Sequence, residues 1–195
     1  LLIEAADGEQ VALSLASAPH QGRELELHIL ASEERAVALV AQLQCDRLAR
    51  VQLPFGDTHL AQLPDGPLLL IAAGTGMAQM HSLIEHCLEQ GFAYPIHLYW
   101  GVRQAEDFYR VSPWADWQQM HNLHLHQVVS EPEQWSGRTG VLHQAVREDF
   151  ADFKGLHVYA SGSPAMIYAT LDALVDAGMD AAQMRADVFA YAPRA

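Results

Sequence analysis

The sequence predicts an α/β protein with two parts. The first part, residues 1–60, is expected to form a partial antiparallel β-barrel, because it contains four short strand-like segments and one helix, and the segment at 24–30 alternates strictly as a half-buried strand does. In the second part, residues 67–195, strands and helices alternate, which predicts a doubly wound parallel sheet of five strands with helices on both faces. A polar stretch, residues 57–66, separates the two parts.

Four strands and one helix are predicted in the first part. The strands are expected at residues 1–5, 11–16, 24–30 and 50–53. The helix should begin at Ser32, which can cap it, with Glu33 and Glu34 at the positive end of its dipole. Four strands that do not close leave bare edges, and the chain begins inside an apolar run, so we expect an upstream segment that supplies the missing N-terminal strands.

The second part opens on the stretch that organises the rest of the chain. Five apolar residues, 68–72, indicate a strand buried on both faces, and a Gly-Thr-Gly turn follows at residues 74–76. The next helix carries an apolar stripe that starts at Met80, and the helix is expected to end at Gly91. Strand, glycine turn and helix together place backbone N–H groups where a phosphate can bind, although an ordinary tight turn has the same pattern.

Four more strands complete the predicted sheet. They are expected at residues 96–100, 123–129, 156–160 and 188–191. Ser112-Pro113 and Ser163-Pro164 each predict the start of a helix, because serine caps a helix and proline suits its first turn. A further helix should follow residues 137–140.

Composition narrows the classes of function. Half of the 195 residues are hydrophobic and 18% are charged, which is a globular composition. The formal net charge of −13 argues against a nucleic-acid partner, since binding nucleic acid requires clustered Lys and Arg. No apolar run reaches the ~18 residues of a membrane span and no signal peptide is visible, so we expect no membrane partner and a cytoplasmic location.

Metal and nucleophile chemistry are both disfavoured. Cys45 and Cys87 are too few thiolates for a zinc site or an iron–sulfur cluster. His124 and His126 share one face of a strand, but no HExxH motif or carboxylate set accompanies them, so no metal site is predicted. Ser161 lacks the G-x-S-x-G order of a nucleophile elbow.

Ligand binding is expected at the carboxyl ends of the parallel strands. Three of these ends carry glycine, at residues 74–76, Gly101 and Gly162, and glycine has no Cβ to hold a ligand away from the backbone. Arg103 could pair with a phosphate or could be a solvated surface arginine. A standard NAD-dependent dehydrogenase is disfavoured, because Gln79 replaces the third glycine of the dinucleotide fingerprint and no acid follows the strand at 96–100.

The second part resembles the nicotinamide-binding domain of the ferredoxin–NADP reductase superfamily, and within it the bacterial NAD(P)H-flavin reductases. Five stretches carry the resemblance, in matching order and spacing: LIAAGTG at 70–76, YWGVR at 99–103, GRTGV at 137–141, GSPAM at 162–166 and DVFAY at 187–191. The resemblance implies NADH or NADPH as one cofactor and a flavin (FAD, FMN or riboflavin) as the other.

By the same resemblance, the first part is the flavin-binding barrel of that family without its first two strands. Ser14 matches the family serine that lies beside the flavin N5. Val11 and Leu13 stand in place of the family's arginine and aromatic residue, which implies weak flavin binding or a flavin used as a substrate. Three residues would lie along the flavin tail: His28, Ile29 and Leu30.

The resemblance also assigns roles around the nicotinamide. Ser161 stands where the family often has a cysteine near the nicotinamide C4, and Ser14, Thr75 and Ser161 are therefore the catalytic candidates. Phe189 or Tyr191 would lie close to the ring system. The nucleotide would be held by residues at the strand ends: Gly74, Thr75, Gly76, Met77, Gly101, Arg103, Gly162, Ser163, Pro164 and Met166.

Hypotheses from different classes follow. In the first, a flavin reductase orients nicotinamide and flavin, the cofactors carry the hydride chemistry, and reduced flavin leaves for a partner monooxygenase, luciferase or ferric iron. In the second, Val11, Leu13 and Ser161 mark a nucleotide-binding module that has lost catalysis. A third is an electron-transfer subunit whose flavin half is completed upstream. Only Arg103 and Arg110 are candidates to bind the 2′-phosphate of NADPH, which favours NADH as the nucleotide used.

Overall fold

The computed structural model describes residues 1–194. A small antiparallel sheet lies in the first part, where β1 (Leu2–Glu4) pairs on one side with β2 (Gln10–Ala12) and on the other with β3 (Val51–Gln52). Helix α1 (Glu34–Asp46) contributes Leu39 to an apolar cluster with β1.

The first part is less regular than predicted, and a barrel is not confirmed. The strand expected at residues 24–30 is wrong, since Leu27 forms only an isolated bridge with Leu15. The segment does alternate apolar and polar residues, but no neighbouring strand pairs with its backbone along its length. The Glu26 N–H, for example, donates to the Ser17 hydroxyl (3.1 Å) instead of to a strand carbonyl. The helix N-cap is Glu33 rather than the predicted Ser32.

Six parallel strands form the larger sheet within the described residues. They are β4 (Leu68–Ala73), β5 (Ile96–Val102), β6 (Leu123–Val129), β7 (Arg138–Thr139), β8 (His157–Ser161) and β9 (Met184–Arg185). Their spatial order is β7-β6-β5-β4-β8-β9. Strands β5 to β7 are added on one side of β4, and β8 and β9 are added on its other side. The carboxyl ends of β4 and β8 therefore flank the topological switch point, where open α/β sheets bind ligands.

The predicted number of strands was wrong for two reasons. Strands β7 and β9 have two residues each, too short to produce an alternating pattern. The expected last strand is instead a helical turn, α6 (Val188–Tyr191), which buries Val188 in the apolar core and leaves Tyr191 exposed. The β-branched and aromatic residues there favour a strand locally, and packing against the core overrides that preference.

Helices cover both faces of the large sheet. They are α2 (Met77–Glu89), α3 (Trp114–Trp117), α4 (Leu142–Asp149) and α5 (Pro164–Asp176). Alternate residues of β4 enter two separate apolar clusters: Leu68 and Leu70 pack on the face of α2, and Leu69 and Ile71 on the face of α4 and α5. Within residues 1–194, none of the helices combines the length and the apolar character needed to cross a membrane.

Candidate active site

A cleft of about 1020 Å³ lies at the carboxyl ends of β4, β5 and β6, between the two parts of the chain. This volume is at the upper end of the range for ligand pockets, so the cleft has room for a large ligand or for two ligands in contact. The first part contributes four neighbouring residues to its lining: Leu27, His28, Ile29 and Leu30. The second part contributes, among others, Gly74, Thr75, Gly101, Arg103, Tyr109 and Met166. The structure thus brings many of the predicted site residues together.

The glycine turn after β4 forms one side of the cleft. Residues Gly74–Gly76 make a short 3₁₀ turn that runs directly into α2. Gly74 has φ +53°, a conformation that favours glycine, and outside its chain neighbours and its own helical turn no atom lies within 4 Å of the place where its Cβ would stand. The indole N–H of Trp100, a buried residue, donates to the Gly74 carbonyl (3.0 Å) and holds the turn in this position. Gly74 therefore exposes bare backbone to open space in the cleft, as close approach of a phosphate requires.

The other glycines at strand ends serve packing. A Cβ on Gly76 would lie 2.3 Å from the Ser161 carbonyl oxygen, and one on Gly162 would lie 2.4 Å from the Met166 Cε. Gly101 is confined in the same way by a side chain of α4. Packing therefore accounts for glycine at these three positions, while their contacts with a nucleotide stay predictions.

Met77 is buried at the start of α2. Its side chain is fully buried, and its N–H donates to the Gly74 and Thr75 carbonyls within the turn. This N–H is therefore satisfied inside the turn, and the expected contact of Met77 with the nucleotide stays a prediction. Thr75, in contrast, is half-buried and lines the cleft.

The N-terminus of α5 faces the same end of the sheet. Ser163 caps this helix as predicted, accepting a hydrogen bond from the Met166 N–H (3.4 Å), and Pro164 occupies its first turn. Ser163 and Pro164 are exposed, and Met166 lines the cleft. The helix has 13 residues, so its dipole places partial positive charge at this end.

The departure from the dinucleotide fingerprint has a structural reason. Gln79, which replaces the third glycine, is 8% exposed and its amide N–H group donates to the Thr58 carbonyl and to the Asp187 carboxylate, each at 3.2 Å. This side chain ties α2 to the segment between the two parts and to the segment before α6. A glycine here would lose both hydrogen bonds.

His28 connects the first part to the opposite side of the cleft. Its Nδ1 lies 2.7 Å from the Tyr109 hydroxyl, and its Nε2 lies 3.1 Å from a Glu26 carboxylate oxygen. Burial lowers the pKa of His28, and burial raises the pKa of the Tyr109 phenol. A neutral imidazole then accepts from the Tyr109 O–H and donates its Nε2–H to Glu26. The sequence did not identify Tyr109 as a site residue, because it lies in a loop outside any periodic pattern.

Two more hydrogen bonds attach the first part to α2. His81, which is 3% exposed, places its Nδ1 2.7 Å from the Ala16 carbonyl, and the Ser82 hydroxyl donates to the Ser17 carbonyl (2.8 Å). The His28 ring lies edge-on to the His81 ring, with centroids 5.8 Å apart. The cleft wall from the first part is thus held by α2 and by Tyr109.

Arg103 lines the cleft, but its guanidinium is paired. It donates to both carboxylate oxygens of Glu131, at 3.2 and 3.0 Å, and this pair raises the pKa of Arg103. Glu106 and Asp107 line the same side of the cleft. Arg103 therefore pairs with a carboxylate in an acidic surrounding, and its role toward a phosphate stays a prediction.

Several predicted site residues lie outside the cleft lining. Leu13 packs against the apolar cluster of the first part, and the Phe189 ring packs on Tyr168, with centroids 5.7 Å apart. Tyr191 is 65% exposed. Ser14, Ser161 and Gly162 are half-buried, and their roles stay predictions.

Histidines stack beside α4 without forming a metal site. His97 lies 4.6 Å from His124 and 6.1 Å from His126 between ring centroids. Among residues 1–194, no group of three or more His, Cys, Asp or Glu side chains has a geometry that could hold a metal ion.

Comparison with known proteins supports an oxidoreductase that binds a nicotinamide nucleotide. The model of the oxidoreductase NAD-binding domain matches residues 70–172. An NAD(P)H-flavin reductase of Vibrio harveyi is 36% identical over 172 residues, which cover 83% of this chain and 72% of that protein. A probable flavin reductase of Aliivibrio fischeri is 31% identical over 194 residues, covering 95% of this chain and 82% of that protein.

Solved structures have the same architecture over almost the whole chain. A cytochrome P450 reductase of Amycolatopsis is 26% identical with a TM-score of 0.79, and the match covers 95% of this chain and 58% of that one. A ferredoxin NADP⁺ reductase of Neisseria gonorrhoeae with bound FAD and NADP has a TM-score of 0.70 at 16% identity, covering 95% of this chain and 82% of that one. This chain therefore spans little more than half of the Amycolatopsis reductase.

Proposed function

The chain belongs to the ferredoxin–NADP reductase superfamily, as an oxidoreductase with relatives among the bacterial NAD(P)H-flavin reductases, and we propose that it transfers a hydride from NADH or NADPH to a flavin that it binds as a substrate. The reduced flavin would then leave for an acceptor such as a monooxygenase or ferric iron. The single observation that carries this proposal is the cleft between the two parts, which joins predicted flavin contacts to predicted nucleotide contacts.

The nucleotide is proposed to lie along the strand ends of the second part. Gly74 offers bare backbone beside open space, and the capped N-terminus of α5 at Ser163 and Pro164 offers partial positive charge to a diphosphate. Thr75 and Met166 also line the cleft. The residues present therefore fit a nicotinamide nucleotide held mainly by main-chain groups.

The flavin is proposed to lie against His28, Ile29 and Leu30. No lysine is found among the described residues that line the cleft, and Arg103 is paired with Glu131. Electrostatic attraction would therefore contribute little to the binding of a flavin phosphate. Leu13, in the place of the family's aromatic residue, packs into the first part's own apolar cluster. Binding would then depend on the ring system, which is common to riboflavin, FMN and FAD. Such a flavin can dissociate after reduction.

The chain's own contribution is orientation and exclusion of water. Bound nicotinamide and flavin supply the hydride chemistry themselves. The Trp100–Gly74 hydrogen bond fixes one side of the cleft and the Tyr109–His28 hydrogen bond fixes the other, so two ligands that enter would be held at a defined separation. Apolar lining residues such as Ile29 and Val102 displace water between them.

The test is oxidation of NADH and NADPH, followed by nicotinamide absorbance, with riboflavin, FMN or FAD added. We expect turnover that requires both protein and flavin, with kcat/KM for the three flavins within about tenfold because the ring system is shared. Nucleotide binding by calorimetry without turnover would contradict the proposal and support a non-catalytic nucleotide-binding module instead.

A pair of glycine variants links that activity to the cleft. Gly74→Ala adds a Cβ in the open space of the cleft, and Gly91→Ala adds one in open space at the end of α2; both positions have positive φ, +53° and +68°. Each should lose about 1 kcal/mol of stability through backbone strain. Only Gly74→Ala should lower kcat/KM for NADH, by about tenfold. Equal activities of the two variants would contradict the proposed position of the nucleotide.

A further inference from the structure

A second cavity, of about 380 Å³, lies at the edge of the large sheet where β9 is the last strand. It is lined by residues of β8, of β9 and of the turns that precede them, including Leu156, His157, Ala182 and Arg185. None of its described lining residues also lines the cleft. The volume is at the lower end of the range for pockets that hold small organic molecules.

Hydrogen bonds hold the walls of this cavity in place. The turn before β8 closes where the Leu156 N–H donates to the Phe153 carbonyl (3.2 Å). The side-chain amide of Gln183 donates to the carbonyls of Phe153 (2.7 Å) and Leu156 (2.9 Å), which ties the turn before β8 to the turn before β9. The cavity is therefore formed by the protein itself, and a ligand that enters it has little chain to order.

Arg185 lies on the wall of this cavity, and its guanidinium is already oriented. The pairing of β8 with β9 sets Arg185 beside Tyr159, a residue that is 1% exposed. Nη1 of Arg185 donates to the Tyr159 hydroxyl (2.6 Å), and the guanidinium carbon lies 5.6 Å from the centre of the Tyr159 ring. This hydrogen bond engages Nη1 and leaves Nε and Nη2 available.

The Nε–Nη2 edge of Arg185 makes no hydrogen bond or ion pair within residues 1–194. In this part of the chain, every other arginine whose guanidinium makes such a contact has a carboxylate partner: Arg35, Arg50, Arg103, Arg138 and Arg194. The chain has 24 Asp and Glu against 11 Lys and Arg, so an oriented arginine without an acid is unusual in it. The edge that Arg185 leaves available is the one that binds a carboxylate at two points.

The rest of the lining fits an anion with a small apolar body. The described lining contains no aspartate or glutamate, and Leu156 and Ala182 add apolar surface to it. His157 contributes an imidazole whose Nε2 lies 3.3 Å from the Asp65 carboxylate. One guanidinium balances one negative charge, so a carboxylate is favoured over a doubly charged phosphate, which Asp65 would also repel.

We propose that this cavity binds a small organic carboxylate, whose two oxygens accept hydrogen bonds from Nε and Nη2 of Arg185 and whose apolar part lies against Leu156 and Ala182. The inference does not rest on the proposed function, because the cavity and the cleft have no described lining residue in common. Arg185 is exposed, so water competes for the carboxylate, and we expect a dissociation constant of about 1 mM for a short-chain acid.

The probe for this site is butyrate, with butyramide as an uncharged analogue of similar shape. Titration of the isotope-labelled protein is followed by NMR through the backbone amides of Gly155 in the cavity and Gly74 in the cleft. Butyrate should shift the Gly155 amide with a dissociation constant of about 1 mM and leave the Gly74 amide unchanged. Butyramide should bind at least about tenfold more weakly, because it offers no charge to the guanidinium.

Variants connect the affinity to the guanidinium. Arg185→Gln should weaken butyrate at least about tenfold. Arg147→Gln removes the same charge from an exposed position on α4 and should leave the affinity unchanged. Arg185→Lys keeps the charge but lacks the two-point edge, so it should weaken butyrate about fivefold. Tyr159→Phe keeps the buried ring and removes the hydroxyl that orients Arg185, and it should weaken butyrate about threefold.

The inference is supported by a shift confined to the cavity that weakens in Arg185→Gln and not in Arg147→Gln. It is overturned by equal affinities for butyrate and butyramide, by unchanged affinity in Arg185→Gln, by tighter binding of inorganic phosphate than of butyrate, or by a shift at Gly74 instead. Should Arg185→Gln fail to fold, Arg185→Lys and Tyr159→Phe decide by the same criterion, since unchanged affinity in both would overturn the two-point contact. All of these outcomes leave the test of flavin reduction independent.

Discussion

The two parts of the chain bury their apolar residues very differently. In the second part, Leu68 to Ala72 of β4 are all 0% exposed, between two large apolar clusters. In the first part, the buried cluster consists of Leu1, Ile3 and Leu39, while Leu48 is 82% exposed. The nucleotide side of the cleft is thus a rigid platform with its own core. The flavin side is a thin layer whose position depends on hydrogen bonds to α2 and to Tyr109.

The largest expected effect tests this contrast directly. Leu70→Ala should lower the free energy of unfolding by about 4 kcal/mol, because it leaves a cavity between strand and helix that cannot collapse. Leu39→Ala should cost about 2 kcal/mol, since the small cluster of the first part can rearrange around the missing atoms. Urea unfolding followed by circular dichroism measures both. Equal losses would mean that the two parts are equally well packed.

The close contact between the ends of β4 and β8 predicts the next effect. Gly76→Ala brings a Cβ to 2.3 Å from the Ser161 carbonyl oxygen and should cost about 3 kcal/mol by overpacking. The matched change Gly8→Ala, in a turn of the first part with nothing within 4 Å, should cost about 1 kcal/mol through its positive φ alone. Thermal unfolding of the two variants compares them. A mild Gly76→Ala would show that β8 can move away from the turn.

Acid should destabilise the second part through its stacked histidines. Burial, together with His124 and His126, lowers the pKa of His97 to about 4, and burial also lowers the pKa of His126, while Asp149 acts in the opposite direction on both. The unfolded chain therefore binds protons between pH 6.5 and 4 that the folded chain does not, so stability falls as the pH decreases through this window.

The variant His97→Phe keeps a stacking ring and removes the titration. It should reduce the acid-dependent loss of stability by about 1 kcal/mol over that window, a value that allows for partial solvent screening. Melting temperature measured against pH for both proteins gives the comparison. Parallel curves would assign the acid sensitivity to other groups.

The smallest effect concerns the flavin side. Tyr109→Phe removes the hydrogen bond to His28 and should cost about 1 kcal/mol of stability. Because Tyr109 positions the cleft wall, KM for the flavin should rise about threefold with KM for NADH and kcat unchanged. Tyr94→Phe, an exposed tyrosine outside the cleft, is the matched control. A fall in kcat without a change in flavin KM would contradict the positioning role.

The parallel sheet could be predicted from the sequence because its signals are local. An apolar run at residues 68–72, a glycine turn and a Ser-Pro helix start each depend on a few adjacent residues. The strand at 123–129 was predicted with the boundaries that the structure has. The failures at residues 24–30 and 188–191 arise where a strand-like pattern lacks a strand partner or packs as a helical turn instead.

The candidate site was predictable only in part, because its decisive contacts are long-range. His28 and Tyr109 are 81 residues apart, and Arg103 and Glu131 are 28 apart. No periodicity links such pairs, so the sequence indicated Arg103 as a phosphate partner without indicating the acid that binds it. The glycines show the same limit: Gly74 and Gly76 are equivalent in the motif, but only Gly74 faces open space.

The most direct test of the central claim is flavin reduction under anaerobic conditions, followed by the visible absorbance of the flavin after rapid mixing with protein and NADH. The cleft is proposed to hold both ligands at once, so the absorbance should fall at a rate that saturates with each ligand and slows when the nicotinamide C4 hydrogen is deuterium. Flavin that keeps its absorbance in the presence of bound NADH would contradict the account.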